Sequence, residues 1–126
     1  MIPFYVKEGF IHDLRFLMES CHRTNEEKGF NGPDLRAFTE EQKHARIGLK
    51  IALIMGELSE ALEAVRKNIE RGEHIPEFTA FEEEMADAVI RILNLAYDEK
   101  ARLAEAIIAK AEYNATRPKM HGGKKF

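Results

Sequence analysis

Residues 51–66 are IALIMGELSEALEAVR, a segment in which apolar side chains return every three or four positions. This spacing is typical of one face of an α-helix, whereas a half-buried strand alternates apolar and polar residues. Upstream, Thr39-Glu-Glu-Gln42 has the capping-box pattern that begins a helix. We therefore predict a long helix from about Thr39 to Asn68. Its inward stripe is expected to consist of Ile47, Ile51, Ile54, Leu58, Leu62 and Val65.

The same periodicity predicts three further helices. The first covers residues 10–27 and ends at the glycines and proline of residues 29–34. A second capping signal, Thr79 to Glu82, begins the third helix of the chain. The fourth helix begins near residues 98–102 and ends at Pro118. No segment alternates as a strand would, so we predict an all-α, four-helix bundle-like domain.

Each of these three helices has an apolar face that is expected to form the core. Because core-facing residues recur at helical spacing, the faces follow directly from the sequence. They are Phe10, Ile11, Leu14, Leu17, Met18 and Cys21 on the first helix, Phe81, Met85, Ala88, Ile92 and Leu95 on the third, and Leu103, Ala106, Ile107 and Ala111 on the fourth.

Composition limits the class of protein. The chain has 126 residues, which corresponds to one domain (1–126), and its single cysteine, Cys21, excludes an internal disulfide and a cysteine zinc site. Residues 1–14 lack the basic start and apolar run that a signal peptide has, and no apolar run is long enough for a bilayer. We therefore expect a cytoplasmic protein without a membrane partner. Residues 57–87 carry ten acids against three bases, a net charge of −7, which argues against a nucleic-acid polymer as partner. Residues 117–126 form a basic tail.

Two acidic pairs are the candidate chemical site. Glu57 and Glu60 are three residues apart on the second helix, and Glu84 and Asp87 have the same spacing on the third. This spacing places both carboxylates of a pair on one helix face. Leu53, Ala61 and Ala64 share the face of Glu57, whereas a solvated face would carry lysines. Other acids, Glu63, Glu82 and Glu83, are expected to be ordinary surface charges.

Two interpretations of the pairs follow from the residues alone. The pairs are either solvated charge faces, which are common on helices, or a cation site. Four carboxylates brought together in a partly buried position either take up protons or bind a cation. Oxygen ligands without histidine or thiolate suit Mg²⁺, or Mn²⁺ as a substitute. Mg²⁺ typically bridges to phosphate, which would make the substrate a phosphate ester or anhydride.

The segments GELSEALEAVR (56–66) and EEEMADAVIRILNLA (82–96) resemble the paired ExxE and ExxD motifs of the MazG-like all-α nucleoside triphosphate pyrophosphohydrolases. The ending KAEYNATRPKMHGGKKF (110–126) is similar to the KxxxN…R segment and glycine-lysine tail of that group. The resemblance extends from about Lys50 to the end of the chain. It implies hydrolysis of a (deoxy)nucleoside triphosphate to the monophosphate and pyrophosphate, in a homodimer or homotetramer.

The resemblance also implies roles for individual residues. Glu57, Glu60, Glu84 and Asp87 fall on the metal ligands of the family, and Glu57 or Glu60 would orient or deprotonate the attacking water. The implied substrate contacts are Lys110, Asn114, Arg117 and the tail lysines, including Lys124. Two further candidate substrate contacts are Lys50, on the face of Glu57, and Asn94, on the face of Asp87. For the lysines and Arg117, an ordinary surface charge is the alternative. For Asn94, the alternative is a residue that forms hydrogen bonds at the edge of the core.

Two other functions fit parts of the sequence. Glu19-Ser-Cys-His22 and Glu41-Gln-Lys-His44 are Glu-x-x-His steps, which with Glu60 and Glu84 could form a di-iron carboxylate bundle. These steps lie near helix ends instead of mid-helix, so we expect His22 and His44 to be surface or interface residues. The second alternative is a non-enzymatic helical interaction module that dimerises through its apolar faces.

Overall fold

The computed structural model describes residues 1–118, and these form four α-helices and no strand. The all-α prediction is therefore confirmed for this part of the chain. None of the helices within residues 1–118 has the length and apolar character needed to cross a bilayer. The helices are α1 (Phe4–Glu27), α2 (Glu40–Arg66), α3 (Ala80–Asp98) and α4 (Leu103–Ala115), with a short 3₁₀ helix at Leu35–Ala37 before α2.

Both predicted capping boxes are present and fix where α2 and α3 begin. The Thr39 hydroxyl accepts the amide hydrogen of Gln42 at 3.1 Å, and the Gln42 side chain accepts the Thr39 amide at 2.8 Å. Thr79 and Glu82 repeat the pair at 3.1 and 2.7 Å. Each box satisfies two amides that the first helical turn leaves without a partner.

The first helix begins six residues earlier than predicted, at Phe4 instead of Phe10. Its amino-terminal turns lie against α4, where Glu112 pairs with the Lys7 ammonium at 2.6 Å and accepts the Ile2 amide at 3.4 Å. These contacts join residues more than a hundred positions apart in the sequence. The local pattern therefore could not indicate that this segment is helical.

The core lies where α1 crosses α3. Met18, Leu93 and Ala96 are buried there, and Leu14, Cys21 and Leu103 pack against them. Leu14, Met18 and Cys21 belong to the predicted face of α1, so that part of the prediction is confirmed. Phe10 and Leu17, on the same predicted face, are exposed.

The predicted core stripe of α2 is confirmed at Ile54 and wrong at most of its other positions. Ile54 is buried, but Ile51, Leu58, Leu62 and Val65 are exposed. The helix instead turns Ala61 and Ala64 toward α3, because small side chains allow two helix backbones to approach closely. The predicted inward faces of α3 and α4 are confirmed in part. On α3, Ala88 is buried, whereas Phe81, Met85 and Ile92 are exposed. On α4, Leu103 packs against the core as predicted, but the buried residues are Ala104 and Ile108, and Ala106, Ile107 and Ala111 are exposed.

Glu83 is also not the surface charge that the sequence predicts. It is 5% exposed and ties the loop before α3 to the start of that helix. Its carboxylate accepts the His74 amide at 3.1 Å and contacts the His74 imidazole at 2.8 Å. Burial alone would raise the pKa of Glu83, but the hydrogen bonds from His74 outweigh it and hold that pKa below its usual value. A side chain at Gly72 would collide with this carboxylate.

Candidate functional site

Helices α2 and α3 run antiparallel and bring the two acidic pairs together. Glu57 of α2 contacts Arg91 of α3, while Lys50, two turns earlier on α2, contacts Asp98 at the end of α3. Ala61, Ala64 and Ala88 are almost fully buried beside the acids. The close approach of the two backbones therefore lets carboxylates from both helices reach the same place.

Three of the four predicted ligands form one cluster. Glu57, Glu60 and Glu84 each offer a carboxylate oxygen, and these oxygens lie within 4.8 Å of one another. Glu57 and Glu84 are half-buried, whereas Glu60 is exposed. Asp87 is not a member of this group; it is exposed, one turn along α3 from Glu84. The structure thus brings together the carboxylates of two helices and leaves Asp87 at the edge.

The pKa values of two acids at the cluster, Glu84 and Asp87, are raised above their usual values. Partial burial, followed by the neighbouring Glu60 carboxyl and the charges of Asp87 and Glu57, raises the pKa of Glu84 to about 7. Burial and then the Glu57 charge also raise the pKa of Asp87, and the Arg91 charge opposes this. Near neutral pH the cluster therefore either retains a proton or gains from a cation.

The donor set fits a hard divalent ion. All three groups are carboxylates, and their oxygens are close enough together to bind one ion. Mg²⁺ and Mn²⁺ prefer oxygen ligands and leave positions for water or phosphate when the protein supplies few donors. The exposed Glu60 marks the solvent side of the cluster, from which a ligand would enter.

A cleft of about 460 Å³ adjoins the cluster and shares Glu57 with it. Most of its lining residues come from α2 and α3, and Phe30, in the segment after α1, also lines it. The side chains facing it are mixed, with acids at one end, apolar walls and three cations. They are Asn25, Phe30, Arg46, Leu49, Lys50, Leu53, Glu57, Asp87, Ile90, Arg91 and Asn94.

Both further candidates, Lys50 and Asn94, line this cleft. Lys50 is mostly buried, and its ammonium donates to Asp98 at 2.8 Å. Asn94 is buried; its amide donates to Asn31 at 3.1 Å, and its oxygen contacts the His22 ring at 3.2 Å. Both side chains are therefore held in place by neighbouring polar groups.

The α4 candidates lie elsewhere in the chain. Helix α4 packs mainly on α1, and the Lys110 ammonium rests 4.6 Å above the Tyr113 ring. Asn114 and Arg117 are exposed. Within the described residues, none of these three side chains forms a hydrogen bond or ion pair with the cluster or the cleft. Lys124 and most of the basic tail lie outside the described residues.

The Glu-x-x-His steps do not join the cluster. Glu41 and His44 are exposed on the first turns of α2. His22 is half-buried, with its ring 4.5 Å from that of Tyr97, and Glu19 pairs with Arg23. Within residues 1–118, Glu57, Glu60 and Glu84 are the one group of three or more His, Cys, Asp or Glu side chains that lie close enough together to bind the same ion.

Sequence reasoning missed several cleft residues, among them the polar residues Arg46 and Asn25. Arg46 lies four residues before Lys50, on the face that carries Leu53 and Glu57, so helical spacing could have found it. Its buried Nε atom has no hydrogen-bond partner among the described residues. Asn25 reaches the cleft from the end of α1, and no local pattern indicates that approach.

Comparison with protein-family models, curated proteins and solved structures found no match for this chain.

Proposed function

We propose that this protein is a Mg²⁺-dependent nucleoside triphosphate pyrophosphohydrolase, with Mn²⁺ as a possible substitute for Mg²⁺. The observation that carries the proposal is the convergence of Glu57, Glu60 and Glu84, with oxygens within 4.8 Å of one another, beside a cleft that contains cationic side chains. The resemblance of the acidic motifs to the MazG-like enzymes supports the same activity.

The residues of the cluster divide the chemistry between them. A divalent ion held there would neutralise phosphate oxygens and lower the pKa of a coordinated water. Glu57 and Glu84 are half-buried and would serve chiefly to hold that ion. Glu60 is exposed, and its carboxylate would orient the attacking water and accept its proton. Attack at the α-phosphorus would then break the bond to the bridging oxygen and release pyrophosphate.

The cleft has the length and the groups to hold a nucleotide. Arg46 and Glu57 are eleven residues apart on α2, which is about 16 Å along the helix axis. The cluster end would take the triphosphate, and Lys50 and Arg91 lie along its path. Phe30 and Leu49 offer apolar walls toward the other end, where the base and sugar would lie, whereas Leu53 lies between Lys50 and Glu57.

We further propose a homodimer built on the outward faces of α2 and α3. Leu58, Leu62 and Val65 on α2, together with Phe81 and Met85 on α3, are large apolar side chains exposed to solvent. A second copy would cover this face, since large exposed apolar patches mark interaction sites.

The enzyme assay uses a panel of ribo- and deoxyribonucleoside triphosphates with Mg²⁺ and measures pyrophosphate and phosphate separately. We expect pyrophosphate and a monophosphate as products, and at least a hundredfold loss of turnover in Glu57→Gln and Glu84→Gln. The matched control is Glu77→Gln, which removes an equal charge from an exposed loop residue. Absence of pyrophosphate from every triphosphate would contradict the proposal and favour the non-enzymatic interaction module.

A further inference from the structure

We propose that Arg91 supplies positive charge to the cluster in place of a metal ion. While no metal ion is bound, Arg91 pairs with Glu57. When a metal ion binds, the Arg91 side chain turns to the phosphates of the substrate. This inference rests on the proposed function. It assigns a role to Arg91 that neither the acidic motif nor the fold requires.

The contact between Arg91 and Glu57 carries the inference. The Arg91 Nε donates to the Glu57 Oε1 at 2.6 Å, across the gap between α2 and α3. Glu57 is at once a member of the carboxylate cluster and a wall of the cleft. An oxygen that accepts this short charge-assisted bond is less available to a metal ion. Metal and guanidinium therefore compete for the same carboxylate.

The position of Arg91 allows its guanidinium to contact either the Glu57 carboxylate or a phosphate in the cleft. Its side chain is 45% exposed and lines the cleft, whereas that of Glu57 is only 14% exposed. When Glu57 turns to a metal ion, the guanidinium can swing on its flexible stem without opening the core. Its planar set of donors then faces the part of the cleft next to the cluster, and such a set suits phosphate oxygens.

The other cleft cation with a carboxylate partner is differently placed. Lys50 donates to Asp98, which belongs to neither the cluster nor the metal-ligand candidates. Within residues 1–118, Arg91 is the cation whose ion pair includes a cluster carboxylate. The competition is therefore specific to Arg91 of α3 and should not be reproduced by removing a cation such as Arg66 from α2.

The test measures binding instead of turnover. Mn²⁺ affinity is determined by calorimetry on the full chain at pH 8, for the wild type, Arg91→Gln and Arg91→Met, followed by the affinity for inorganic tripolyphosphate with Mn²⁺ present. We expect Mn²⁺ to bind about fivefold more tightly to both variants and tripolyphosphate about tenfold more weakly. The matched control is Arg66→Gln, which breaks the exposed 2.6 Å pair with Glu63 on α2 and should change neither affinity.

The possible results separate this inference from the proposed function. Unchanged or weaker Mn²⁺ binding in both Arg91 variants would overturn the inference, because it would mean that Arg91 only orients Glu57. An equal gain in Mn²⁺ affinity in Arg66→Gln would overturn it too, because the loss of any positive charge would then be enough to strengthen Mn²⁺ binding. If the wild type itself binds no Mn²⁺, or if Glu84→Gln binds it equally well, the metal site and the proposed function fail instead.

Discussion

Replacing Glu84 by glutamine tests whether the acidic cluster destabilises the metal-free fold. The pKa of Glu84 rises from 4.5 to about 7 on folding, first through burial and then through Glu60, Asp87 and Glu57. Since the folded-state pKa is the higher one, the stabilisation from protonated Glu84 is complete below pH 4.5 and is lost as pH rises through 7. Above that pH the metal-free chain carries an unfavourable negative charge.

The size of the effect follows from this pKa difference. At about 1.4 kcal/mol per pH unit, a rise from 4.5 to about 7 corresponds to about 3 kcal/mol as an upper limit. Glu84 is only half-buried, so water and side-chain movement reduce the cost to about 1–2 kcal/mol. Glu84→Gln removes it, and at pH 8 without metal we expect a Tm about 5 °C above that of the wild type. At pH 5, half a unit above the unfolded-state pKa, the difference in Tm should fall to about a quarter of this.

The assay is thermal unfolding followed by circular dichroism at pH 5 and pH 8, with and without Mn²⁺. Mn²⁺ should raise the Tm of the wild type and leave that of Glu84→Gln almost unchanged, because binding to the folded state alone stabilises it. Glu77→Gln, with the same charge change on an exposed loop residue, should behave as the wild type. The reasoning would be refuted if Glu84→Gln had a lower Tm than the wild type at pH 8. It would also be refuted if Mn²⁺ raised the Tm of Glu84→Gln as much as that of the wild type.

Three other predictions concern the fold, the loop and the assembly. Leu93→Ala should lower the free energy of unfolding by about 3 kcal/mol in denaturant titration, since Leu93 is 2% exposed at the centre of the core. Gly72→Ala should lower it by about 2 kcal/mol in the same assay, because the added methyl group meets the Glu83 carboxylate; a neutral result would mean that the loop shifts freely. Leu62→Arg should halve the mass measured by light scattering, and an unchanged mass would place the interface elsewhere.

Local chemistry determined what the sequence could predict about helix ends. The hydroxyls of Thr39 and Thr79 bond amides only three residues away, so both capping boxes could be identified without knowing the fold. The start of α1 depends instead on Lys7 meeting Glu112 of α4. A contact between opposite ends of the chain leaves no trace in the local pattern.

The helix faces show a second limit on what the sequence can predict, which concerns burial. Periodicity places Leu58, Leu62 and Val65 on one side of α2, but it does not say what covers that side. In the single chain, α2 meets α3 through Ala61 and Ala64 and leaves the larger side chains exposed. Apolar patterning reports burial in whatever assembly the protein forms, so the stripe expected as the core of the chain matches the surface that we assign to a second copy.

The candidate site was predictable as far as single helices define it. Spacing within α2 and within α3 placed each pair of acids on one face, and three of the four meet. The pairing of Arg91 with Glu57, and the approach of Asn25 and Phe30 to the cleft, depend on how separate elements pack. Spacing along one helix cannot supply such relations.

The alanines between α2 and α3 explain why the acids and the exposed apolar faces occur together. Small side chains between packed helices let the backbones approach toward the short end of the 8–10 Å range, which brings carboxylates of the two helices nearer to one another. Ala61, Ala64 and Ala88 are such side chains but bury little apolar area. Meanwhile burial, and then the neighbouring acids, raise the pKa of Glu84. A cation on the acidic side would offset the repulsion between the acids, and an apolar partner on the exposed side would add the burial that the alanines do not supply.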